Sequence, residues 1–254
     1  MISNEFTHFM KYAEQEQQRY TNANPFPHII IDNFFDENIL NEILKEFPTN
    51  LELKGENYNN KAEKKLTLNN IEDLSITTVN FINFLNSSKF VKFLQKITNI
   101  KETLIPDPYL VGGGLHELRN NGFLNIHSDF NRHPQMKLDR RLNILIYLNK
   151  EWKNEYGGQL QLWDQNMKNC EKNIIPTFNR MVIFSTTDTS YHGNPIKVEH
   201  PENISRKSIA MYYYSNGRPH VENQLGDHST IFRKRPNSQD IDGNVYFKKI
   251  IGKL

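Results

Sequence analysis

The 254-residue chain has a single cysteine, Cys170, so it cannot close an internal disulfide, and a reducing, cytoplasmic setting is expected. It lacks a charge excess. Its 31 basic against 29 acidic side chains leave a formal net charge of +2, which gives no electrostatic pull toward nucleic acid or anionic lipid. No stretch approaches the roughly 18 consecutive apolar residues of a membrane span. The first twenty residues, MISNEFTHFMKYAEQEQQRY, carry charges throughout and do not read as a secretory leader. Pro- or Gly-rich linkers and internal repeats are also missing, so one domain over 1–254 is expected. With 37% hydrophobic residues the chain can still bury a substantial core. The expected partner is a small molecule or a peptide, with no nucleic acid and no membrane. Nothing in the sequence bears on oligomeric state.

Residues 1–105 read as a mostly helical layer. A polar surface helix is expected over 5–20 and a short strand around His28 to Ile31. Asp36 can cap a helix over 37–47, with Ile39, Leu40, Ile43, Leu44 and Phe47 as one apolar stripe. The Asn-, Lys- and Glu-rich stretch 49–70 has few apolar anchors and reads as a loop. Two more helices follow, one patterned by Val79, Phe81, Ile82 and Leu85, the next starting at Ser87 or Ser88. From 106 to 216 the pattern changes to short apolar runs between turn signals: PYLVGGGLHEL, GFLNIH, RLNILIYLN, GGQLQLW, RMVIFS and RKSIAMYYYS. Such spacing predicts an antiparallel sandwich or barrel. Residues 217–254 read as a polar extension of loops and a short helix.

The segment LNIHSDFN, 124–131, sets His127 and Asp129 two apart in a strand pattern, and so on one face. Such a pair is commonly no more than a surface pair or turn cap. A second histidine, His192, follows 65 residues downstream, after the strand RMVIFS. Two imidazoles and one carboxylate on one face make the facial triad of non-haem Fe(II) oxygenases, which leaves the opposite positions open. Arg206 lies 14 residues beyond His192 and shares a strand face with Ser208. A buried guanidinium is costly unless it meets an anion, and its fork suits a carboxylate.

In this order, FLNIHSD, RRLNILIYLNKEW, YGGQLQLW, FNRMVIFSTTDTSYHGNP and SRKSIAMYYYS resemble the Fe(II)/2-oxoglutarate-dependent oxygenases in their prolyl-4-hydroxylase-like branch. The resemblance covers about Gly114 to Ser215. It implies a mainly β fold whose core is a double-stranded β-helix, a cupin-like jelly roll, beneath the helical N-terminal layer. It implies His127, Asp129 and His192 as iron ligands, and Arg206 as the partner of the distal carboxylate of 2-oxoglutarate. Tyr147 matches a strand tyrosine that reaches the same carboxylate, and Ser208 and Asn143 are expected beside it. The implied cofactors are Fe(II), 2-oxoglutarate and O2. The implied reaction hydroxylates an unactivated C–H bond and releases succinate and CO2, on a prolyl residue of a peptide or protein or on a small metabolite or sugar derivative. Related halogenases lack the carboxylate ligand, so Asp129 points to hydroxylation. Glu117 stands where some relatives carry a tyrosine.

Other readings remain at this point. A jelly-roll module could bind a ligand without chemistry, and zinc also accepts two histidines with one carboxylate. Cys170, in a polar loop, has no base near it in sequence. His116 and His133 flank the triad and read as structural or substrate-facing. Trp152 and Trp163 read as packing residues, and Gly157–Gly158 as a turn.

Overall fold

A computed structural model describes residues 1–243. The expected extension therefore falls within them only up to 243, and 244–254 lie outside the described residues. The elements run α1 (Phe9–Thr21), β1 (His28–Asp32), α2 (Glu37–Lys45), α3 (Leu51–Lys54), β2 (Glu56–Asn59), β3 (Glu63–Leu68), α4 (Ile76–Leu85) and α5 (Ser88–Thr98). Then come β4 (Ile105–Pro106), β5 (Gly114–Leu118), β6 (Phe123–Ser128), β7 (Asp139–Tyr147), β8 (Leu160–Trp163), β9 (Cys170–Ile174), β10 (Arg180–Ser185), β11 (His192–Asn194), β12 (Arg206–Ser215) and β13 (Ile231–Phe232).

The strands follow the order β1-β10-β7-β12-β5-β3-β6-β11-β8-β9, every neighbour antiparallel. The sheet curls on itself at β3, whose Leu66–Leu68 end pairs with β5 and whose Glu63–Lys64 end pairs with β6. One leaf, β1-β10-β7-β12-β5, thus faces the other, β6-β11-β8-β9, as the double-stranded β-helix requires.

Alternation along the strands sorts two environments. On β7, Leu142, Ile144 and Ile146 join Met181, Ile183, Ile209, Met211 and Tyr213 in a core shared with Phe81, Phe90 and Phe93 of the helices. The intervening Tyr147 packs between the leaves with Val182 and Phe184 from one side and Leu160 and Leu162 from the other. The helical layer therefore seals the outer face of one leaf and leaves its inner face to build a site.

The helix starts follow their caps. Asp36 accepts from the Asn38 N–H at 2.9 Å, and Ser75 and Ser87 accept from the N–H groups of Thr78 and Phe90 at 3.2 and 3.4 Å. Helix α1 is less superficial than its composition suggests, because Phe9, Ala13 and Tyr20 are buried and the Tyr20 hydroxyl reaches Ser185 Oγ at 2.8 Å.

The expected loop 49–70 is instead a short helix and a β-hairpin. Asn60 builds the turn: its side chain accepts from the N–H of Ala62 at 2.8 Å, and its own N–H donates to the Glu63 carbonyl at 2.9 Å. The first 105 residues accordingly contribute β2 and β3 to the sheet besides the expected β1. Cys170 opens the edge strand β9 rather than sitting in a loop, and is exposed.

Candidate metal centre and carboxylate pocket

His127 and His192 are cross-strand partners on β6 and β11, which brings residues distant in sequence to a ring separation of 4.5 Å. Each ring is fixed by the carbonyl two residues earlier. The Nδ1 atoms lie 2.8 Å from the Asn125 carbonyl and 2.9 Å from the Ser190 carbonyl. A carbonyl only accepts, so each Nδ1 donates, and in the neutral ring the Nε2 lone pair is the one left to ligate. Phe184 closes against His192 at 4.6 Å, and Phe232 of the C-terminal segment against His127 at 5.6 Å.

Asp129 lies one residue past the end of β6, so the same-face rule for strands does not place it. It converges nonetheless: Oδ1 is 3.5 Å from His127 Nε2, and Oδ2 is 3.3 Å from His192 Nε2. The three ligand atoms lie within 4.8 Å of one another, the one such group among the described residues. Burial lowers the His127 pKa, and His192 beside it adds to the effect, so the ring is held neutral. Burial alone would raise the Asp129 carboxyl, but Arg140 and the two histidines outweigh it and hold it well below the usual carboxylate range. Two imidazoles and one carboxylate, with an open side, fit a ferrous ion.

The triad opens into a cavity of about 920 Å³, lined also by Arg206, Ser208, Asn143 and Leu145. Arg206 is only 3% exposed, yet its Nε and Nη2 have no hydrogen-bond partner, and Nη1 only reaches Ser208 Oγ at 3.3 Å. Its guanidinium sits 4.8 Å from the Tyr147 ring centroid, and the buried Tyr147 hydroxyl is likewise unpartnered. Ser208 stands opposite Tyr147 in the β12–β7 register. Orphaned buried donors of this kind cost several kcal/mol. A carboxylate satisfies them, so the donor set fits 2-oxoglutarate. A bare zinc site would leave them unexplained.

The Gly157–Gly158 turn makes room for this pocket. Both glycines have positive φ, and a Cβ on Gly157 would fall 1.9 Å from the Lys197 carbonyl oxygen. One on Gly158 would press on Val198 and the Arg206 stem at 3.0 and 3.6 Å.

Asn143, expected beside the co-substrate, lines the cavity but already has partners. Its amide nitrogen donates to Asp129 Oδ2 at 2.7 Å, and its carbonyl oxygen accepts two N–H groups of Arg140 at 3.0 and 2.7 Å. Glu117 turns to Ser205 and Arg119, whose Oγ–H and Nε–H it accepts at 2.6 and 3.1 Å, while its neighbour His116 lines the cavity. His133 is structural, fully buried and 3.2 Å from Asp107. Trp152 and Trp163 are buried packing residues.

Sequence reasoning missed Arg140. Counting back from Tyr147 by twos puts Arg141 on the site face and Arg140 outside. A register shift between Tyr213 and Tyr214 on β12 interrupts this, so that Tyr214 faces Arg140. Arg140 therefore enters the site, 3.2 Å from Asp129 Oδ2, and Arg141 leaves it to meet Glu102 at 2.8 Å.

The family model described as the 2OG-Fe(II) oxygenase superfamily matches residues 113–214. Prolyl 3,4-dihydroxylase OGFOD1 of Ostreococcus tauri is 24% identical over 251 residues, covering 91% of this chain and 45% of that protein. The chain spans 45% or less of the curated relatives it matches. A prolyl-4-hydroxylase of Pseudomonas putida superposes with TM-score 0.60 at 10% identity, over 81% of this chain and all of that one. A prolyl hydroxylase of Trichoplax adhaerens, solved with a hypoxia inducible factor peptide fragment, gives TM-score 0.59 at 18% identity, over 83% of this chain and 92% of that one. The fold, the triad and the matched segment agree: residues 113–214 are similar to the 2OG-Fe(II) oxygenase superfamily.

Proposed function

We propose that the chain is an Fe(II)- and 2-oxoglutarate-dependent dioxygenase that hydroxylates a prolyl residue in a peptide or protein. The observation that carries this reading is Arg206, a buried guanidinium with unpartnered N–H groups in the same cavity as a triad of two histidines and a carboxylate. When bound, iron and 2-oxoglutarate couple O2 and the loss of CO2 to oxygen insertion into a C–H bond.

The chain's own residues do the placing. His127, Asp129 and His192 would hold the ion by one side. Arg206, Tyr147 and Ser208 receive the distal carboxylate, so the keto acid can enter in one orientation only. Phe184, Leu160 and Leu145 line the cavity and keep its inner end apolar. A five-carbon keto acid needs much less than the cavity offers, which leaves space for a substrate side chain. Tyr58, Phe130 and Tyr212 also line the cavity, and aromatic rings suit the apolar face of a pyrrolidine ring. The names of the relatives favour a prolyl substrate over a free metabolite.

The test is succinate formation by the aerobic Fe(II) protein with 2-oxoglutarate, alone and with panels of proline-containing peptides, free proline and sugar-derived metabolites. Acceleration by a peptide with mass gain of one oxygen on proline is expected. Acceleration only by a free metabolite would replace the substrate class. An iron- and keto-acid-binding protein that never forms succinate would be the non-catalytic binding module instead.

A further inference from the structure

Arg140 has no part in the reading above, yet it is the largest side chain buried to below 2% exposure in the described structure. Its guanidinium lies between two rings, with Cζ 3.5 Å from the Tyr212 centroid and 4.4 Å from that of Phe130. Its Nε and Nη2 both donate to Asn143 Oδ1, at 3.0 and 2.7 Å, and Nη2 also lies 3.2 Å from Asp129 Oδ2. Asn143 then donates from Nδ2 to that same Asp129 oxygen at 2.7 Å.

The two oxygens of Asp129 are therefore unequal. Each oxygen has one histidine Nε2 near it, His192 at 3.3 Å from Oδ2 and His127 at 3.5 Å from Oδ1, but only Oδ2 also carries an amide and a guanidinium donor, enough to occupy its lone pairs. We infer that Arg140 and Asn143 are positioning residues that hold Asp129 so that only Oδ1 ligates the metal, which keeps the carboxylate monodentate. A carboxylate free to turn would offer both oxygens and close one of the positions that a chelating keto acid and O2 require. The Tyr212 and Phe130 rings, set at 82° to each other, confine the guanidinium, and its fork reaches Asn143 and Asp129 together. A lysine has no fork and could serve one of them at most.

This inference rests on the metal reading of the triad, and the experiment separates the two. Mn(II) and Co(II) binding are measured anaerobically without co-substrate, by electron paramagnetic resonance and by the Co(II) d–d spectrum, on wild type, Arg140→Met and Arg140→Lys. Thermal unfolding of the metal-free proteins is followed alongside. Wild type should bind both ions. Both variants should bind about 10- to 100-fold more weakly, the range seen when a ligand loses its outer support, with a changed Co(II) spectrum. A purely structural arginine would lower the melting temperature and leave that spectrum unchanged. A wild-type protein that binds neither ion overturns the triad and the inference with it. Wild-type affinity and spectrum in both variants overturn the inference alone. Should a variant fail to fold, the structure of the Mn(II)-loaded wild type decides: Oδ1 on the metal and Oδ2 on Arg140 and Asn143 supports the inference, and a bidentate Asp129 ends it.

Discussion

At the scale of single residues, the site carries its cost in Arg206. A buried guanidinium with unpartnered Nε and Nη2 destabilises the protein that holds no co-substrate. Arg206→Met should therefore raise the unfolding free energy of the ligand-free protein by about 1–4 kcal/mol while 2-oxoglutarate affinity falls at least tenfold. Urea melts and calorimetric titration report the two effects, and a destabilised variant with unchanged affinity would remove the anchor role. Tyr147→Phe should be nearly neutral in stability, because its hydroxyl has no partner to lose. It should still weaken 2-oxoglutarate by roughly tenfold, the worth of a hydrogen bond to a charged group. Asp129→Ala and His192→Ala should abolish Mn(II) binding and leave far-ultraviolet circular dichroism unaltered. These residues were legible in the sequence because their chemistry is scarce: a histidine two before an aspartate, a distal histidine after a strand and an arginine opening the next strand. Arg140 was not, since Asp139-Arg140-Arg141 reads as an exposed charge run until its burial is seen.

Elements were readable where local signals agreed with the packing. Ser87, Phe90, Phe93, Leu94 and Ile97 mark α5 by cap and stripe together, and the structure caps and buries it accordingly. Alternation on β7 and β12 likewise separated core from site down to Asn143. It failed opposite Tyr213 and Tyr214, because the extra residue on β7, Arg141, inverts every earlier position of that strand and leaves no local mark in DRRLN. The hairpin β2–β3 was missed for a different reason. Its strand residues are mostly Glu, Lys and Asn because one side faces the polar cavity: Glu56, Tyr58, Glu63 and Lys65 all line it. Tyr58 donates its hydroxyl to Glu56 and lies under the Lys65 ammonium, 4.7 Å from the ring centroid. The hairpin hangs on the Asn60 turn, so Asn60→Ala should cost about 1 kcal/mol, the usual loss when a capping side chain is removed. Limited proteolysis should then concentrate at 57–62. In kinetics, KM for the primary substrate should rise and that for 2-oxoglutarate should not, because the hairpin borders the outer cavity. Equal increases in both constants would mean that the hairpin supports the whole site.

On the scale of the molecule, one leaf of the sheet serves two masters. Its outer face is welded to the helices, and its inner face, with the facing leaf, encloses ionisable groups that burial disfavours. Several of those groups are kept from their ordinary protonation behaviour, and this couples the site to global stability. Burial, helped by the nearby Lys65 ammonium, presses His116 from 6.5 down to about 3, and burial also lowers His127. Asp129 is held well below 3.8 in spite of its burial. All three shifts have one sign. Each group binds a proton more readily in the unfolded chain than in the folded one, so each contributes stability that is complete above its unfolded pKa and is lost as pH falls toward its folded pKa. The histidines should make the metal-free protein lose stability from about pH 6.5 downward, with Asp129 adding to the slope below about pH 4. His116→Gln isolates one contribution, since glutamine keeps a donor for the Gly112 carbonyl, which His116 Nε2 meets at 3.0 Å, and does not titrate. Between pH 6 and pH 4 the variant should show a shallower fall in unfolding free energy, by up to about 1.4 kcal/mol per pH unit, the worth of one proton. Urea midpoints at a series of pH values measure this. Parallel profiles for the two proteins would mean that His116 takes up its proton without disturbing the fold, and that its place at the cavity wall is not a dry one.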